Sequence, residues 1–248
     1  MTYAPAQPTL LVFTLGAARE QLRRRLLPAA LGRQEREMHR RLLESALAAG
    51  RRCGCRLLVS CPEAVDLPPD ARHIRQSSGS FGQRLFEALE LASSEGGPVL
   101  LVGTDVPGLA ADHLRQALTA LETDPESAVI GPSPDGGLYL LAAHGGILEV
   151  LQRIAWCRSS TCRALLGELR RVGRSTLLLE PLRDLDRQRD LLRWLGDLNP
   201  SETFWRGFAR QVLSLFARML RPLLEAPPIP TLLQPLPVSA GRAPPHLR

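Results

Sequence analysis

Short apolar runs alternate along this chain with amphipathic helical patterns, and this alternation constrains the fold more than any other feature. Runs that predict strands lie at 9–14, 55–60, 99–102, 127–132, 137–143 and from 175 onward, with a further short strand around His73 and Ile74. Patterns that predict helices lie at 33–50, 81–94, 112–121, 160–173 and 187–198, two of them ending at Gly50 and Gly173. Strands that alternate with helices build a mostly parallel sheet. We therefore expect an α/β fold, a Rossmann-like three-layer sandwich around a mostly parallel mixed sheet.

The stretch PVLLVGTDVPGL, at 98–109, places a carboxylate directly after a predicted strand. Val99–Val102 is a run of four apolar β-formers, and Pro107 cannot continue a strand ladder. Open α/β sheets bind ligands just past the carboxyl ends of their strands. Asp105 at this position either holds a divalent cation that neutralises a diphosphate, or caps the turn and the helix that follows.

A run of arginines follows the first predicted strand. The stretch AAREQLRRRLLP, at 17–28, contains Arg19, Arg23, Arg24 and Arg25 in what we expect to be a loop. Guanidinium groups fork onto phosphate oxygens, so such a loop at the ligand-binding edge suits a nucleotide. The alternative is a solvated helical face.

Two glycine-containing turns lie near the same predicted edge. Gly79 and Gly82 flank a turn that opens a helix, with Arg84 in its first turn, so that backbone amides can face a phosphate or a base. Gly82 can equally serve only to start the helix. The segment Asp135-Gly136-Gly137 lies between two strands, where it either lets the backbone approach a ligand or forms an ordinary hairpin turn.

Three acidic residues follow the last predicted strand. Asp184 and Asp186 are two residues apart and share a face, and Asp190 lies on the helix beyond. Asp184 or Asp186 can reach the same ion as Asp105. Alternatively, Asp186 caps the helix and Asp190 pairs with nearby arginines.

The composition excludes several classes of function. All 31 basic residues are arginine, which removes lysine Schiff-base chemistry and a lysine P-loop. No Ser-His-Asp order or G-x-S-x-G elbow is present. The net charge of +6 comes mostly from the tail, because residues 200–248 hold six arginines against two glutamates, and the near-neutral body argues against nucleic acid as a partner. The odd count of five cysteines favours reduced thiols over disulfides or a metal site.

The chain divides by composition into a body at 1–199, a basic amphipathic helix at 200–224 and a Pro-rich tail at 225–248 that we expect to be disordered. The helix either lies on anionic lipid or packs on the domain or on a partner subunit, and we favour packing. No apolar run approaches a membrane span and the N-terminus lacks a signal pattern, so we expect a cytoplasmic protein. The pattern does not predict an oligomeric state.

Taken in order from about Leu10 to Leu195, these features resemble the GT-A-like superfamily of nucleotide-diphospho-sugar transferases, and within it a small bacterial family of candidate glycosyltransferases related to 2-phospho-lactate guanylyltransferase. The family loop Lys-Thr-Arg-Leu-x-Pro stands here as 23–28, RRRLLP, and Gly-x-Leu-Gly-Glu-Arg-Leu stands as 79–85, GSFGQRL. Gly-Ser-Asp-x-Pro stands as 103–107, GTDVP, and Gly-Pro-x-x-Asp-Gly-Gly stands as 131–137, GPSPDGG. A Trp segment follows at 154–156, and the closing Asp-Val-Asp-Thr-x-x-Asp-Leu stands as 184–191, DLDRQRDL.

The resemblance implies a metal-dependent glycosyltransferase that uses a nucleotide-diphospho-sugar donor and a small-molecule acceptor. Nucleotidyl transfer from an NTP, or binding without catalysis, are the alternatives. It implies Mg²⁺ or Mn²⁺ on Asp105 and Asp186, with Arg23 and Arg25 stabilising the departing nucleotide. The nucleotide would meet Arg19, Gly79, Gly82, Arg84 and Thr104, and the sugar or acceptor would meet Asp135, Gly136, Gly137 and Trp156, with Asp135 as the candidate base. The chain departs from the family pattern at Arg23, at the missing Pro-Gly before the basic stretch, and at Cys157-Arg158 after the Trp.

Overall fold

The computed structural model of the protein describes residues 6–94, 96–198 and 203–224, with the side chains of the last segment described over 205–218. The chain divides into two compact units, Met1–Glu202 and Thr203–Arg248. The first unit contains the whole sheet and most of the helices.

Seven strands form one mixed sheet in the order β3-β2-β1-β4-β6-β5-β7. The strands are β1 (Thr9–Phe13), β2 (Arg56–Cys61), β3 (Ala71–Arg75), β4 (Val99–Val102), β5 (Ala128–Pro132), β6 (Leu138–Ala143) and β7 (Thr176–Leu178). Strand β1 pairs in parallel with β2 and β4, β2 with β3, and β5 with β7, whereas β6 is antiparallel to both β4 and β5. This pairing confirms the predicted mostly parallel mixed sheet.

Helices flank the sheet on both faces. In the first unit they are α1 (Ala17–Arg24), α2 (Gly32–Arg52), α3 (Phe81–Ser93), α4 (Ala111–Thr123), α5 (Leu148–Gln152), α6 (Thr161–Arg171) and α7 (Gln188–Gly196), with a short 3-10 helix at Ala29–Leu31. Side chains alternate across a strand, so Leu10 and Val12 of β1 pack with residues of α2 and α4, while Leu11 packs with residues of α3, α5 and α6. Two apolar layers on either side of one sheet confirm the three-layer sandwich.

Three of the predicted elements were wrong in extent or kind. The stretch expected to be a basic loop after β1 is helix α1, which begins after Gly16 at a φ of 82°. The last strand ends at Leu178, so Asp184 and Asp186 lie in an irregular segment rather than at a strand end. Gly50 does not end α2, which continues to Arg52. Gly50 is instead a point of close packing, since a Cβ there would lie 2.6 Å from Leu10 Cδ2.

The second unit contains helix α8 (Thr203–Leu224), where the sequence predicted a basic amphipathic helix. None of the helices in the described segments is long and apolar enough to cross a membrane. The Pro-rich tail predicted at 225–248 lies outside the described residues. The predicted division into a body, a helix and a tail stays a prediction.

Candidate active site

A cavity of about 1000 Å³ opens at the carboxyl ends of β1 and β4, the edge that the alternation of strands and helices predicted. Its lining includes eight arginines and six acidic residues. The arginines are Arg23, Arg24, Arg84, Arg158, Arg183, Arg187, Arg189 and Arg193, and the acids are Glu20, Asp105, Asp135, Asp184, Asp186 and Asp190. This cavity is therefore suited to a strongly polar ligand.

Three of these acids form what we call the acidic cluster: Asp105, Asp184 and Asp186. Each contributes one carboxylate oxygen to a set in which all the oxygens lie within 4.8 Å of one another. Asp105 follows β4, as predicted, and the other two come from the segment after β7. The Leu185 N–H donates to the Asp105 carbonyl at 2.8 Å, which joins the two segments directly.

The segment that carries Asp184 and Asp186 is held along the sheet by backbone bonds. The Leu179 N–H donates to the Ile130 carbonyl at 2.9 Å, and the Leu182 N–H donates to the Pro132 carbonyl at 3.2 Å. The buried Tyr139 hydroxyl donates to the Glu180 carbonyl at 3.0 Å. Because β7 is short and these separate hydrogen bonds hold the segment that follows it, the chain leaves the sheet there and places Asp184 and Asp186 near Asp105.

Arg24, on α1, lies between two members of the acidic cluster. Its Nη2 donates to Asp105 Oδ2 at 2.6 Å, and its Nη1 donates to Asp186 Oδ1 and, at 2.9 Å, to the Leu185 carbonyl. Its Nε donates to Glu20 Oε2 at 3.1 Å. The Arg24 side chain is only 5% exposed. A buried guanidinium with this many acceptors has a fixed position.

The electrostatics of the site follow from burial and from these pairings. Burial works against charge on Arg24, yet Asp105, Glu20 and Asp186 raise its pKa. Burial also opposes charge on Glu20, but Arg24 and Arg23 hold the pKa of that carboxyl below its usual value. Asp184 behaves in the opposite way, because burial and the neighbouring carboxylates raise its pKa to about 7. Asp184 thus exchanges its proton near neutral pH.

The turn after α1 is held by a carboxylate outside the cavity. Glu35, fully buried on α2, accepts the Leu26 N–H at 2.7 Å and the Leu27 N–H at 3.0 Å. Arg25, at the end of the helix, has a left-handed φ of 50°. This anchoring fixes the end of α1 and with it the position of Arg24.

The structure separates the other arginines of the basic run. Arg23 lines the cavity and lies 3.4 Å from Glu20, with about half of its side chain exposed. Arg19 donates through Nε to Glu63 at 2.9 Å, and Arg25 donates to the Leu22 carbonyl at 3.3 Å. Neither Arg19 nor Arg25 is part of the cavity lining. Their predicted contact with the nucleotide stays a prediction, without support from this arrangement.

The glycine-rich turn contributes through Arg84 rather than through its glycines. Arg84 lines the cavity and donates to Gln76 Oε1 at 2.6 Å, while its guanidinium carbon lies 5.9 Å from the centre of the Phe13 ring. Gly79 and Gly82 are not in the lining. A Cβ on Gly82 would lie 3.0 Å from Trp156 Cδ1, so this glycine makes room for the indole.

Aromatic rings form one wall of the cavity. The Phe13 and Phe81 rings have centroids 5.4 Å apart, and the Phe81 and Trp156 rings have centroids 5.9 Å apart. The Trp156 Nε1–H donates to the Leu151 carbonyl at 3.2 Å, which fixes the indole at its polar end. The ring planes meet at 71° and 44°, so the three rings form an apolar wall of tilted faces that includes the predicted Trp156.

The segment 135–137 is both a hairpin turn and part of the cavity lining, so its two interpretations do not compete. It joins the antiparallel strands β5 and β6, and Asp135 Oδ1 accepts the Gly137 N–H at 2.8 Å. Gly136 has a φ of 91°, and a Cβ on it would lie 1.8 Å from the Ser159 carbonyl oxygen. Only glycine fits there. Asp135 itself is exposed.

Thr104 is buried beside Asp105, and its hydroxyl lies 2.9 Å from that of Thr14. This bond ties the ends of β1 and β4 together at the floor of the cavity. Of the predicted residues, the structure thus brings Arg23, Arg84, Thr104, Asp105, Asp135, Gly137, Trp156 and Asp186 to one cavity.

Sequence reasoning named Arg24 only as part of the basic run, and its metal assignment chose Asp105 and Asp186, with Asp184 as an open alternative. A signal for Arg24 exists in the spacing of Glu20 and Arg24, four residues apart, which places an ion pair on one helical face. Nothing local shows that this face meets Asp105. The arginines at 158, 183, 187, 189 and 193 were likewise not predicted for the site.

The acidic cluster has the donor set that Mg²⁺ and Mn²⁺ use, since hard cations take carboxylate oxygens. Arg24 uses one oxygen of Asp105 and one of Asp186, which leaves the second oxygen of each carboxylate together with those of Asp184. These residues therefore fit a divalent cation beside Arg24.

Comparison with known proteins bears on the family and on the fold of the chain. Residues 41–158 match the model of a family described as an uncharacterized protein conserved in bacteria (DUF2064). No curated protein matches the sequence.

Solved structures share the fold at low sequence identity. A candidate nucleotide-diphospho-sugar transferase from Desulfovibrio desulfuricans G20 has a TM-score of 0.70 at 22% identity, over 86% of this chain and 96% of that chain. Rv0371c from Mycobacterium tuberculosis H37Rv has a TM-score of 0.51 at 17% identity, over 79% and 100%. The 4-diphosphocytidyl-2C-methyl-D-erythritol synthase from Anaerococcus prevotii DSM 20548 has a TM-score of 0.50 at 11% identity, over 76% and 96%. Part of the chain thus matches the DUF2064 model, and the chain shares its fold with the candidate nucleotide-diphospho-sugar transferase, in agreement with the resemblance seen in its motifs.

Proposed function

We propose that this protein is a transferase that acts on a nucleotide-activated substrate, whose diphosphate binds in the cavity beside the acidic cluster. One observation carries the proposal: Asp105, Asp184 and Asp186 meet the buried Arg24 at the carboxyl ends of β1 and β4. This is the edge at which open α/β sheets bind ligands. The candidate transferase from Desulfovibrio desulfuricans G20 supports the same class of substrate.

The acidic cluster and the arginines around it both contribute to binding a diphosphate. Asp105 and Asp186, with Asp184 as a third ligand, would hold Mg²⁺ or Mn²⁺, which when bound would supply positive charge to the phosphate oxygens. Arg23, whose side chain on α1 is about half exposed, adds a second guanidinium to the cavity lining. Arg84 lines the same space, where its guanidinium donates to Gln76 and lies over the Phe13 ring.

Glycosyl transfer is the reaction we propose first. An acceptor hydroxyl attacks the anomeric carbon of a nucleotide-diphospho-sugar, and the nucleoside diphosphate departs with the bonding electrons. Asp135 is the candidate base that takes the hydroxyl proton. It lines the same cavity as Trp156, and the residue is exposed to solvent. Stabilisation of the charge on the departing diphosphate is the largest contribution that such a site makes to lowering the activation barrier.

Nucleotidyl transfer is the second candidate, and the excess of arginines favours it. An acceptor phosphate would attack the α-phosphorus of an NTP, with pyrophosphate as the leaving group. Arg183, Arg187, Arg189 and Arg193 line the side of the cavity formed by the segment before α7 and by α7 itself. Eight arginines against six acids leave the lining with an excess of two positive charges, which would suit an anionic ligand such as a triphosphate. The likeness to the synthase from Anaerococcus prevotii DSM 20548 is compatible with this reaction.

A ligand panel followed by product analysis tests both candidates. The melting temperature of the full chain is measured with NTPs, nucleoside diphosphates and nucleotide sugars, each with and without Mn²⁺. A ligand at a hundred times its Kd adds about 2.7 kcal/mol of stability, which is readily measured. Preference for a nucleotide sugar, with release of a nucleoside diphosphate, supports glycosyl transfer, whereas pyrophosphate release from an NTP supports nucleotidyl transfer. A metal-dependent shift without any product would indicate binding without catalysis, and no shift with any nucleotide would refute the proposal.

A further inference from the structure

Arg24 occupies the space between two of the carboxylates that the proposed function assigns to a divalent cation. We infer that Arg24 is a resident counter-cation of the acidic cluster, so that a divalent cation binds the free protein weakly and binds tightly only together with a nucleotide diphosphate. The inference rests on the proposed function, since it concerns the same carboxylates, and it adds an order of binding that the fold alone does not imply.

The contacts of Arg24 make it a fixed part of the site. Four of its N–H groups have acceptors: Glu20 Oε2 at 3.1 Å, the Leu185 carbonyl at 2.9 Å, Asp186 Oδ1, and Asp105 Oδ2 at 2.6 Å. To leave, the guanidinium would break all of them, and the buried Glu20 carboxylate would keep only the longer contacts with Arg23 at 3.4 Å and with the Leu15 N–H at 3.3 Å. A divalent cation that enters the acidic cluster must therefore bind beside Arg24 rather than replace it.

Charge and ligand count both limit what a cation gains there. The guanidinium cancels one of the negative charges that would attract the ion, and in a partly buried site its repulsion is weakly screened. Because Arg24 holds one oxygen each of Asp105 and Asp186, neither carboxylate can bind the ion through both oxygens. Without a nucleotide, the protein thus offers a cation few oxygen ligands, and the electrostatic potential at the acidic cluster is only moderately negative.

A nucleotide diphosphate removes both limits. Its phosphate oxygens add ligands of the kind that Mg²⁺ takes from substrates, and its negative charge offsets the guanidinium. The cation and the nucleotide should therefore bind cooperatively. By thermodynamic linkage, the factor by which the nucleotide tightens cation binding equals the factor by which the cation tightens nucleotide binding.

The test measures Mn²⁺ binding to the full chain by the electron paramagnetic resonance signal of free Mn²⁺, with Mn²⁺ alone and with UDP, GDP, CDP or ADP. For the wild-type protein we expect at least one diphosphate to tighten Mn²⁺ binding by about tenfold or more. For Arg24→Met, we expect Mn²⁺ alone to bind about tenfold tighter than it does to the wild type, and the added effect of the nucleotide to shrink.

Arg19→Met is the matched control, since it removes the same charge from the same helix at a half-exposed position paired with Glu63. We expect it to leave Mn²⁺ affinity within about twofold of wild type, because an exposed charge is screened. If Arg24→Met does not fold, the double variant Arg24→Met with Glu20→Gln removes the buried pair together and keeps the measurement possible.

The outcomes separate this inference from the proposed function. Mn²⁺ binding that is equal or weaker in the folded Arg24 variants would overturn the inference and leave Arg24 as a residue that orients the carboxylates. Tight binding of Mn²⁺ to the wild type without nucleotide would overturn it as well. If none of the nucleotides of the wider panel binds the wild type, the proposed function fails, while the Mn²⁺-only arm still decides whether Arg24 opposes cation binding.

Discussion

Two cavities of this protein differ in how their charges are assembled. The candidate active site, of about 1000 Å³, gathers Arg24 from α1, Asp105 from the end of β4, and two acids from the segment after β7. A second cavity, of about 690 Å³, lies between α4 and β7 and is also lined by charged and hydroxyl side chains. There Arg115 pairs with Asp112, three residues earlier on the same helix, and Asp124 accepts from the neighbouring Ser175 hydroxyl.

The two cavities resemble each other in their charged and polar linings but differ in how their charged groups are paired. In the second cavity, the charges of Arg115 and Asp112 satisfy each other locally and are largely exposed, so they create little field. In the first cavity, segments far apart in sequence bring like charges together, and Asp184 is left with a pKa raised to about 7. Functional sites are where such perturbed groups collect.

The largest expected effect contrasts one aspartate from each cavity. Asp105→Asn keeps the shape of the side chain but removes the charge that faces Arg24 and the cation, so we expect metal-dependent nucleotide binding to weaken by about 100-fold. Asp112→Asn is the matched change in the second cavity and should leave that affinity unaltered. Isothermal titration with the nucleotide and Mn²⁺ measures both, and an Asp105→Asn protein with full metal-dependent binding would refute the site.

Gly136→Ala tests how far the candidate site depends on one backbone position. The added Cβ would meet the Ser159 carbonyl oxygen, and the φ of 91° is strained for any L side chain. We expect a loss of about 2 kcal/mol or more in the free energy of unfolding, measured by urea denaturation. Gly145→Ala is the control, because its Cβ would meet nothing within 4 Å. Equal stabilities of the two variants would contradict the close approach.

Asp184→Asn tests the raised pKa in the first cavity through the pH dependence of stability. The folded-state pKa of Asp184 is about 7, above the usual value of 3.8, so between these values the folded state binds more protons than the unfolded state. The free energy of unfolding therefore falls as pH rises through this window. Asn cannot ionise, so the melting temperature of the variant should exceed that of wild type by a margin that grows from about pH 4 to about pH 7 and then levels off. A margin independent of pH, or of opposite sign, would contradict the burial of this carboxyl among its neighbours.

The smallest expected effect lies in the second cavity. Arg115→Ala removes an exposed ion pair on α4, so we expect the free energy of unfolding to change by no more than about 0.5 kcal/mol. Nucleotide affinity should stay within error of wild type in the same titrations. A marked loss of affinity would break the distinction between the two cavities and move the search for a ligand to α4 and β7.

Much of the fold was predictable because it depends on local patterns. The apolar run of Val99–Val102 and the turn after it are readable over a few residues, and they placed Asp105 correctly at a strand end. Gly173 ends α6 in a left-handed conformation at a φ of 76°, as its position predicted. The prediction at Gly50 was wrong because the sequence does not distinguish a glycine required for close packing, here against Leu10, from a glycine that ends a helix.

The sequence by itself determined the order of the strands and of most of the helices, the sheet edge at which a ligand is expected and the acidic residues near it, since periodicity and turn chemistry act over short distances. Only the tertiary structure decided that Arg23 and Arg24, but not Arg25, line the cavity, because that depends on the phase of helix α1 and on Glu20 and Glu35 holding it in place. It also decided that Asp184 joins the acidic cluster, since the segment after β7 turns toward Asp105 through bonds to distant backbone. The assembly of charged side chains from distant segments depends on long-range contacts, and no local sequence pattern encodes it.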